Sequence, residues 1–129
     1  MLCLSGHLGA GKTTLVKGLA EGLGVAHPDD VTSPTFLRVV RWDGPPVLVH
    51  VDAYRMRGAA DVEELGLDED LAGGAVVALE WPEQVEDALP ADRVTVELSH
   101  TADGARAARV HAVGPTAAAW LGRLREALA

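Results

Sequence analysis

A mixed α/β domain with a mostly parallel central sheet is what the sequence predicts, and three observations predict it. Short apolar runs alternate with stretches of helical periodicity, two of those runs end in an acid, and a glycine-rich loop separates the first run from the first helix. The C-terminal strands are expected to be antiparallel, because they follow one another without an intervening helix. The 129 residues suit one domain, 1–129, with enough length for a real core.

The elements follow in order. Residues 2–5 read as a short buried strand running straight into the loop. From 12 to 23, Leu15, Leu19 and Leu23 recur every fourth residue with Val16 and Ala20 beside them, the pattern of one helix face, and Gly24 is the stop signal. Residues 25–34, with His27-Pro28-Asp29-Asp30, read as a loop. Residues 36–42 suit a strand, Asp43-Gly44-Pro45-Pro46 a turn, and 47–51 a strand that ends at Asp52. Residues 61–71 form a short acidic helix or pair of turns, with Val62 and Leu65 inward and Gly66 as an interruption. Gly73-Gly74 turns the chain into the most clearly buried strand, 75–79, which ends at Glu80. Residues 82–89 suit a helix with proline at its first position. Residues 94–98 alternate as a half-exposed strand, and 108–113 can pair with it. Thr116 is expected to cap a last helix through Leu128, with Trp120, Leu121, Leu124 and Leu128 inward.

Composition excludes several classes. The net charge is −8, and the eleven basic residues comprise Lys12, Lys17 and nine scattered arginines. Tight unaided binding to RNA or DNA draws on a basic face that this chain lacks, although a part in an RNA pathway through a protein partner stays open. The apolar runs are too short to cross a bilayer, and no secretory signal opens the chain. A single cysteine, Cys3, forbids an internal disulfide and suits a reducing cytosol; between Leu2 and Leu4 it reads as a buried strand residue rather than a reactive thiol. A cytoplasmic protein is expected.

The segment Gly6-His7-Leu8-Gly9-Ala10-Gly11-Lys12-Thr13 matches G-x-x-x-x-G-K-[ST] at every fixed position, and Thr14 follows. Each residue type has a mechanical reason. The glycines let backbone N–H groups of residues such as Gly9, Ala10 and Gly11 approach phosphate oxygens without Cβ clashes. Lys12 supplies charge for the outer phosphates, the Thr13 hydroxyl suits Mg²⁺, and the helix that follows turns its positive end toward the same anion. ATP with Mg²⁺ is therefore the expected ligand of a P-loop NTPase-type three-layer sandwich. A P-loop enzyme also places an acid at a neighbouring strand end, and both Asp52 and Glu80 qualify.

Absences narrow the class. The chain has no asparagine, so the guanine-reading Asn-Lys-x-Asp motif is missing; no Leu-Ser-Gly-Gly transporter signature occurs, and no arginine-rich lid is visible. A free-standing small-molecule or nucleotide kinase remains possible on these grounds, as does a nucleotide-gated binding module without turnover.

Taken together the motifs resemble the bacterial TsaE (YjeE) family of P-loop ATPases. The likeness begins with the loop and continues through Ser33-Pro34-Thr35-Phe36, His50-Val51-Asp52-Ala53-Tyr54-Arg55, Glu63-Glu64-Leu65-Gly66-Leu67-Asp68, Glu80-Trp81-Pro82-Glu83 and Arg106-Ala107-Ala108-Arg109-Val110. Only five residues precede Gly6, where that family usually carries a further helix and strand that help hold adenine, so the resemblance implies either a natural start upstream of Met1 or a domain without them and an incomplete adenine pocket. It implies a weak ATPase that assists the TsaD–TsaB complex in making N6-threonylcarbamoyladenosine at adenosine 37 of tRNAs decoding ANN codons, with tRNA met only through the partners and no membrane involved.

The resemblance also implies residue roles. Lys12 neutralises phosphate, Thr13 and Glu80 hold Mg²⁺, Thr14 and Arg106 join the ATP site, Thr35 senses the γ-phosphate, and Asp52 positions the attacking water. Trp81 is open between a stacking role at the site, a partner contact and a plain core position. Tyr54 and Arg55 suit partner contact or an ordinary surface loop. Strand alternation puts His50 on the same face as Asp52, where it either supports that acid or is simply a structural strand residue.

Overall fold

The computed structural model describes residues 1–34 and 36–129. A six-stranded sheet forms its centre, in the order β2-β3-β4-β1-β5-β6. The strands are β1 (Leu2–Ser5), β2 (Val39–Trp42), β3 (Leu48–Asp52), β4 (Val76–Glu80), β5 (Arg93–His100) and β6 (Arg106–Val113). β3, β4, β1 and β5 run parallel, and an antiparallel strand closes each edge, β2 on β3 and β6 on β5. The sequence foresaw the antiparallel C-terminal pair; the edge formed by β2 is an addition to it.

Two apolar clusters, one on each face, make the three layers. On one face α1 (Lys12–Gly22) lays Val16 and Ala20 against Leu4, Leu48, Ala78 and Val96. α4 (Pro115–Leu128) packs on the same side over β5 and β6. On the other face α2 (Ala59–Glu63) and α3 (Leu67–Ala72) bring Val62 and Leu67 to Cys3, Val49, Val51, Val77 and Leu79. Each fully buried valine or leucine contributes about 1.5–3 kcal/mol, so the central strands carry most of the stabilisation. Burial also pushes the Cys3 thiol up to about 11, which makes it the inert strand residue expected.

Several boundaries differ from the sequence expectation, each for a local reason. β2 begins at Val39, not Phe36, because Arg38 takes a left-handed conformation (φ 64°) and its amide closes a turn onto the Pro34 carbonyl. The loop before it contains a 3₁₀ turn, Pro28–Asp30, and buries Val25 and Val31. The helix expected over 82–89 is two 3₁₀ turns, Pro82–Gln84 and Glu86–Ala88, since Val85 between them leaves helical geometry (φ −137°). Gly66, left-handed, splits the acidic segment into α2 and α3.

Thr116 does not cap α4. The N-cap is Gly114, and Asp92 caps the helix from the β5 side, accepting hydrogen bonds from the backbone N–H groups of Thr116 (3.1 Å) and Ala117 (2.9 Å). Ala117 is the buried residue of this helix, whereas Trp120 and Leu128 are exposed and Leu121 and Leu124 half-buried.

The Asp92 cap yields a prediction with a definite sign. The hydrogen bond from Ala117 first, then those from Thr116, hold its carboxyl below the ordinary value of 3.8. A carboxylate depressed in the folded state adds stability that is complete above the unfolded pKa and disappears as pH falls through the folded one. Asp92→Ala should therefore lower Tm at neutral pH, and the gap from the parent should close below pH 3.8. Thermal melts followed by circular dichroism across that range check it; a gap that persists in acid would show that Asp92 acts through packing.

Candidate functional site

The parallel strands deliver their C-terminal ends to one edge of the sheet. Leu4 of β1 lies beside Glu80 of β4, and Glu80 lies beside Asp52 of β3. The loop from residue 6 to 11 springs from β1 at this edge and enters α1. Gly6 is required by space: a Cβ there would stand 2.6 Å from the Leu98 carbonyl oxygen. Gly11 is required by conformation, as the N-cap of α1 at φ 106°, with no side-chain cap on the helix and no acid in its first turn. The positive end of α1 thus faces the loop without a neutralising carboxylate on its own first turn.

Two cations shape the loop. Lys12 Nζ donates to the Gly6 and His7 carbonyl oxygens, the latter at 3.0 Å, and lies 3.9 Å from the centre of the Trp81 ring. Burial pulls the Lys12 ammonium below its ordinary range, while the carboxylates of Glu80, Glu83 and Asp52 oppose that shift. Arg106, at the start of β6, donates from Nε to the Ala10 carbonyl (3.0 Å) and from a terminal nitrogen to the Gly9 carbonyl (3.3 Å). In a trans peptide the N–H points opposite to the C=O, so these bonds turn the Gly11 amide to the other side, along with the Ala10 amide, which donates to the His7 carbonyl at 3.0 Å.

The two acids are buried and held differently. Glu80 accepts from the Thr13 hydroxyl, 3.2 Å from each carboxylate oxygen, and meets His50 Nε2 at 2.5 Å. Asp52 accepts from the Ser33 hydroxyl at 2.7 Å and from the Tyr54 backbone N–H at 2.9 Å. Trp81, in a left-handed conformation (φ 62°), turns its ring under Lys12 and against Tyr54, whose ring centre is 5.0 Å away.

Together Gly9, Gly11, Lys12, Thr13, Thr14, Ser33, Asp52, Glu80, Trp81 and Arg106 line a cleft of about 390 Å³. The buried Ala10 shapes the loop beneath it. Thr13 and Glu80 are hard oxygen donors side by side, a set that suits Mg²⁺, which takes one or two protein oxygens and leaves its other positions to phosphate and water. Thr35, expected near the γ-phosphate, lies outside the described residues.

Comparison with known proteins decides the family. The family model "Threonylcarbamoyl adenosine biosynthesis protein TsaE" matches residues 1–108. The chain belongs to the TsaE family. It is 43% identical to the "tRNA threonylcarbamoyladenosine biosynthesis protein TsaE" of Bacillus subtilis over 88% of this chain and 70% of that one. With the protein of the same name from Streptomyces coelicolor it shares 46% identity over 88% of this chain and 80% of the other. The crystal structure of Bacillus subtilis YdiB superposes with a TM-score of 0.79 at 36% identity, over 99% of this chain and 78% of that one. The P-loop fold and the family read from the motifs both stand.

Within this TsaE-family site the motifs meet as expected at Lys12, Thr13, Thr14, Asp52 and Glu80. Arg106 reaches the same cleft from the start of β6, where it holds the loop's own carbonyls. Trp81 lines the cleft, under the lysine, and Arg55 lies over the exposed Phe36 ring at 5.4 Å, outside the lining residues. Sequence reasoning gave no role to Ser33. No spacing rule links a serine in a loop to an acid nineteen positions later, and only the fold brings them together.

Two charge-assisted hydrogen bonds at a partly exposed site contribute about 1 kcal/mol after screening, or roughly five- to tenfold in local opening. Arg106→Ala should accordingly speed amide hydrogen exchange at residues 9–11 by about that factor and leave β1 and α1 unchanged. Equal protection in the variant would mean that the loop holds its shape without Arg106.

Proposed function

We propose that this protein is an Mg²⁺-dependent ATPase that works as the accessory subunit of a TsaD–TsaB complex in tRNA threonylcarbamoylation, in the cytoplasm. One observation carries the chemistry: Lys12, Thr13, Asp52 and Glu80, drawn from three separate motifs, converge on a single cleft at the parallel edge of the sheet. Membership of the TsaE family supports the pathway, and the net charge of −8 supports holding tRNA only through partners.

The residues divide the work by position. The amides of residues 9–11 and the α1 N-terminus receive the phosphates, and Lys12 shifts from its own carbonyls to the β- and γ-phosphate oxygens. Thr13 and Glu80 hold Mg²⁺, which supplies charge neutralisation on the phosphates. Asp52, fixed through both oxygens by Ser33 and Tyr54, orients the water that attacks, and Thr35 reads the γ-phosphate. Trp81 and Tyr54 wall the cleft beside the reacting end, while the exposed Phe36 and Arg55 present a surface to partners.

Lys12→Ala should weaken Mg-ATP binding by about thirty- to thousandfold, the equivalent of about 2–4 kcal/mol, in a folded protein. Glu80→Gln should raise the Mg²⁺ requirement, whereas Asp52→Asn should keep affinity and slow turnover by about 10²-fold or more. Calorimetry with single-turnover hydrolysis separates these effects, and parental behaviour in all three variants would sink the assignment.

The function itself is tested by measuring phosphate release with and without a TsaD–TsaB pair, beside a tRNA-binding control. Turnover is expected to depend on the pair, and association with it on ATP rather than ADP, since a γ-phosphate can order a loop that then presents a surface. Phosphorylation of a small acceptor without partners would make the protein a kinase instead, and ATP held without hydrolysis in either mixture would make it a binding module.

A further inference from the structure

His50 sits at the middle of β3 in a run, Leu48–Asp52, that is buried at every position. Its side chain is fully buried, and within hydrogen-bond reach it has one partner among the described residues, the Glu80 carboxylate. The register explains how the two meet. His50 lies directly opposite Ala78, and Glu80 is two residues further along β4 on the same face. Ala78 is small, so the imidazole crosses above it on the diagonal and ends under Glu80 rather than beside Asp52, its neighbour on its own strand.

We propose that His50 is a positioning residue: it donates from Nε2–H to Glu80 and fixes that carboxylate against Thr13. The inference rests on the reading of Glu80 as the acid that holds Mg²⁺. Three observations lead to it. A carboxylate at the end of a glutamate side chain rotates in a broad, nearly two-fold well, so one hydrogen bond to Thr13 leaves its plane poorly defined. The contact at 2.5 Å on Oε2 supplies a second fixed point, while the one Thr13 hydroxyl hydrogen is shared between the two oxygens at 3.2 Å from each. The other ring nitrogen, Nδ1, is buried with no hydrogen-bond partner among the described residues. A hydrogen on Nδ1 would be an orphaned buried donor, the rarer and costlier fault, so the hydrogen belongs on Nε2 and Nδ1 carries a bare lone pair. A leucine would fill this place in an apolar strand without any polar cost; the imidazole is there for the carboxylate.

The test uses the full chain with four variants: His50→Leu, which removes the donor at similar volume; His50→Gln, which keeps an N–H donor; Glu80→Gln; and the His50→Leu/Glu80→Gln double variant. The first readout is the Mg²⁺ concentration that gives half-maximal ATP binding, by calorimetry, and ATP binding without Mg²⁺ is the control. Removing a group that orients a metal ligand typically costs about 10- to 100-fold in metal affinity, and His50→Leu should show a loss in that range with Mg²⁺-free binding preserved. His50→Gln should recover most of the loss. In the Glu80→Gln background the leucine should add nothing, because His50 acts through that acid alone.

The second readout needs no variant to fold: the ¹⁵N shifts of the His50 ring in the parent protein should report hydrogen on Nε2. Hydrogen on Nδ1 would overturn the proposal, as would equal losses in the leucine and glutamine variants or a further loss in the double variant. If Glu80→Gln itself leaves the Mg²⁺ dependence unchanged, the reading of Glu80 fails. If Glu80→Gln shifts it and His50→Leu does not, only the role of His50 fails.

Discussion

The cleft depends on the parallel register of three neighbouring strands. Because β1 pairs with β4 and β4 with β3 in the same direction, Leu4, Glu80 and Asp52 stand side by side across the sheet. That alignment puts the root of the loop and both acids at one edge, with no loop needed to bring them there. It also explains the position of the edge strands. β2 and β6 run the opposite way, so they return the chain to this edge from outside: Arg38, just before β2, accepts from the Asp52 amide, and Arg106, opening β6, reaches the loop. A one-residue slip between β3 and β4 would turn Glu80 or Asp52 to the opposite face, which is packed with Val49, Val51, Val77 and Leu79. The apolar face thus enforces the polar one.

The same arrangement concentrates the electrostatic cost of the fold in one place. Among the described residues the buried charged or imidazole side chains are Lys12, His50, Asp52 and Glu80, and all four belong to the cleft or its floor. Unpaired ions in a protein interior are expensive, and each of these is compensated locally. Lys12 has two carbonyls and an indole ring, Asp52 a serine hydroxyl and a backbone amide, Glu80 a threonine hydroxyl and the imidazole. The stabilisation that carries this cost comes from the two apolar clusters on the flanking faces, which are drawn largely from the same strands.

How much of this was legible in the sequence depended on whether the signal was local. β1 was read to the residue, because an apolar run abutting a complete loop motif has no alternative register. The loop residues, Asp52 and Glu80 were legible for the same reason, since each sits at a fixed place relative to an apolar run. Errors arose where a distant partner decides the conformation. Thr116 looked like a cap from its neighbours, but the cap is Asp92, from the segment before β5. Residues 82–89 carry helical composition, yet Val85, buried in the apolar cluster under the sheet, leaves helical geometry and splits them into two 3₁₀ turns. Alternation placed His50 on the right face and suggested Asp52 as its company. The small Ala78 opposite, invisible to a one-strand reading, sends it to Glu80 instead.

The resting contacts of Lys12 bear on how the cleft would meet an anion. Its ammonium is already satisfied, by the Gly6 and His7 carbonyls and the face of Trp81, and is largely withdrawn from water. A phosphate arriving there would therefore exchange protein contacts for its own rather than capture a free charge, and its net gain would be the difference between the two sets. The exchange is also directional. Trp81 follows Glu80 in the chain and packs on Tyr54, whose amide holds Asp52, so a shift of Lys12 off the indole acts on the ring that joins the two acids. The left-handed backbone at Trp81, costly for a side chain of that size, keeps the ring in this position. Strain of that kind persists only where the surroundings over-determine it, and here the surroundings are Lys12 and Tyr54, on which the ring packs.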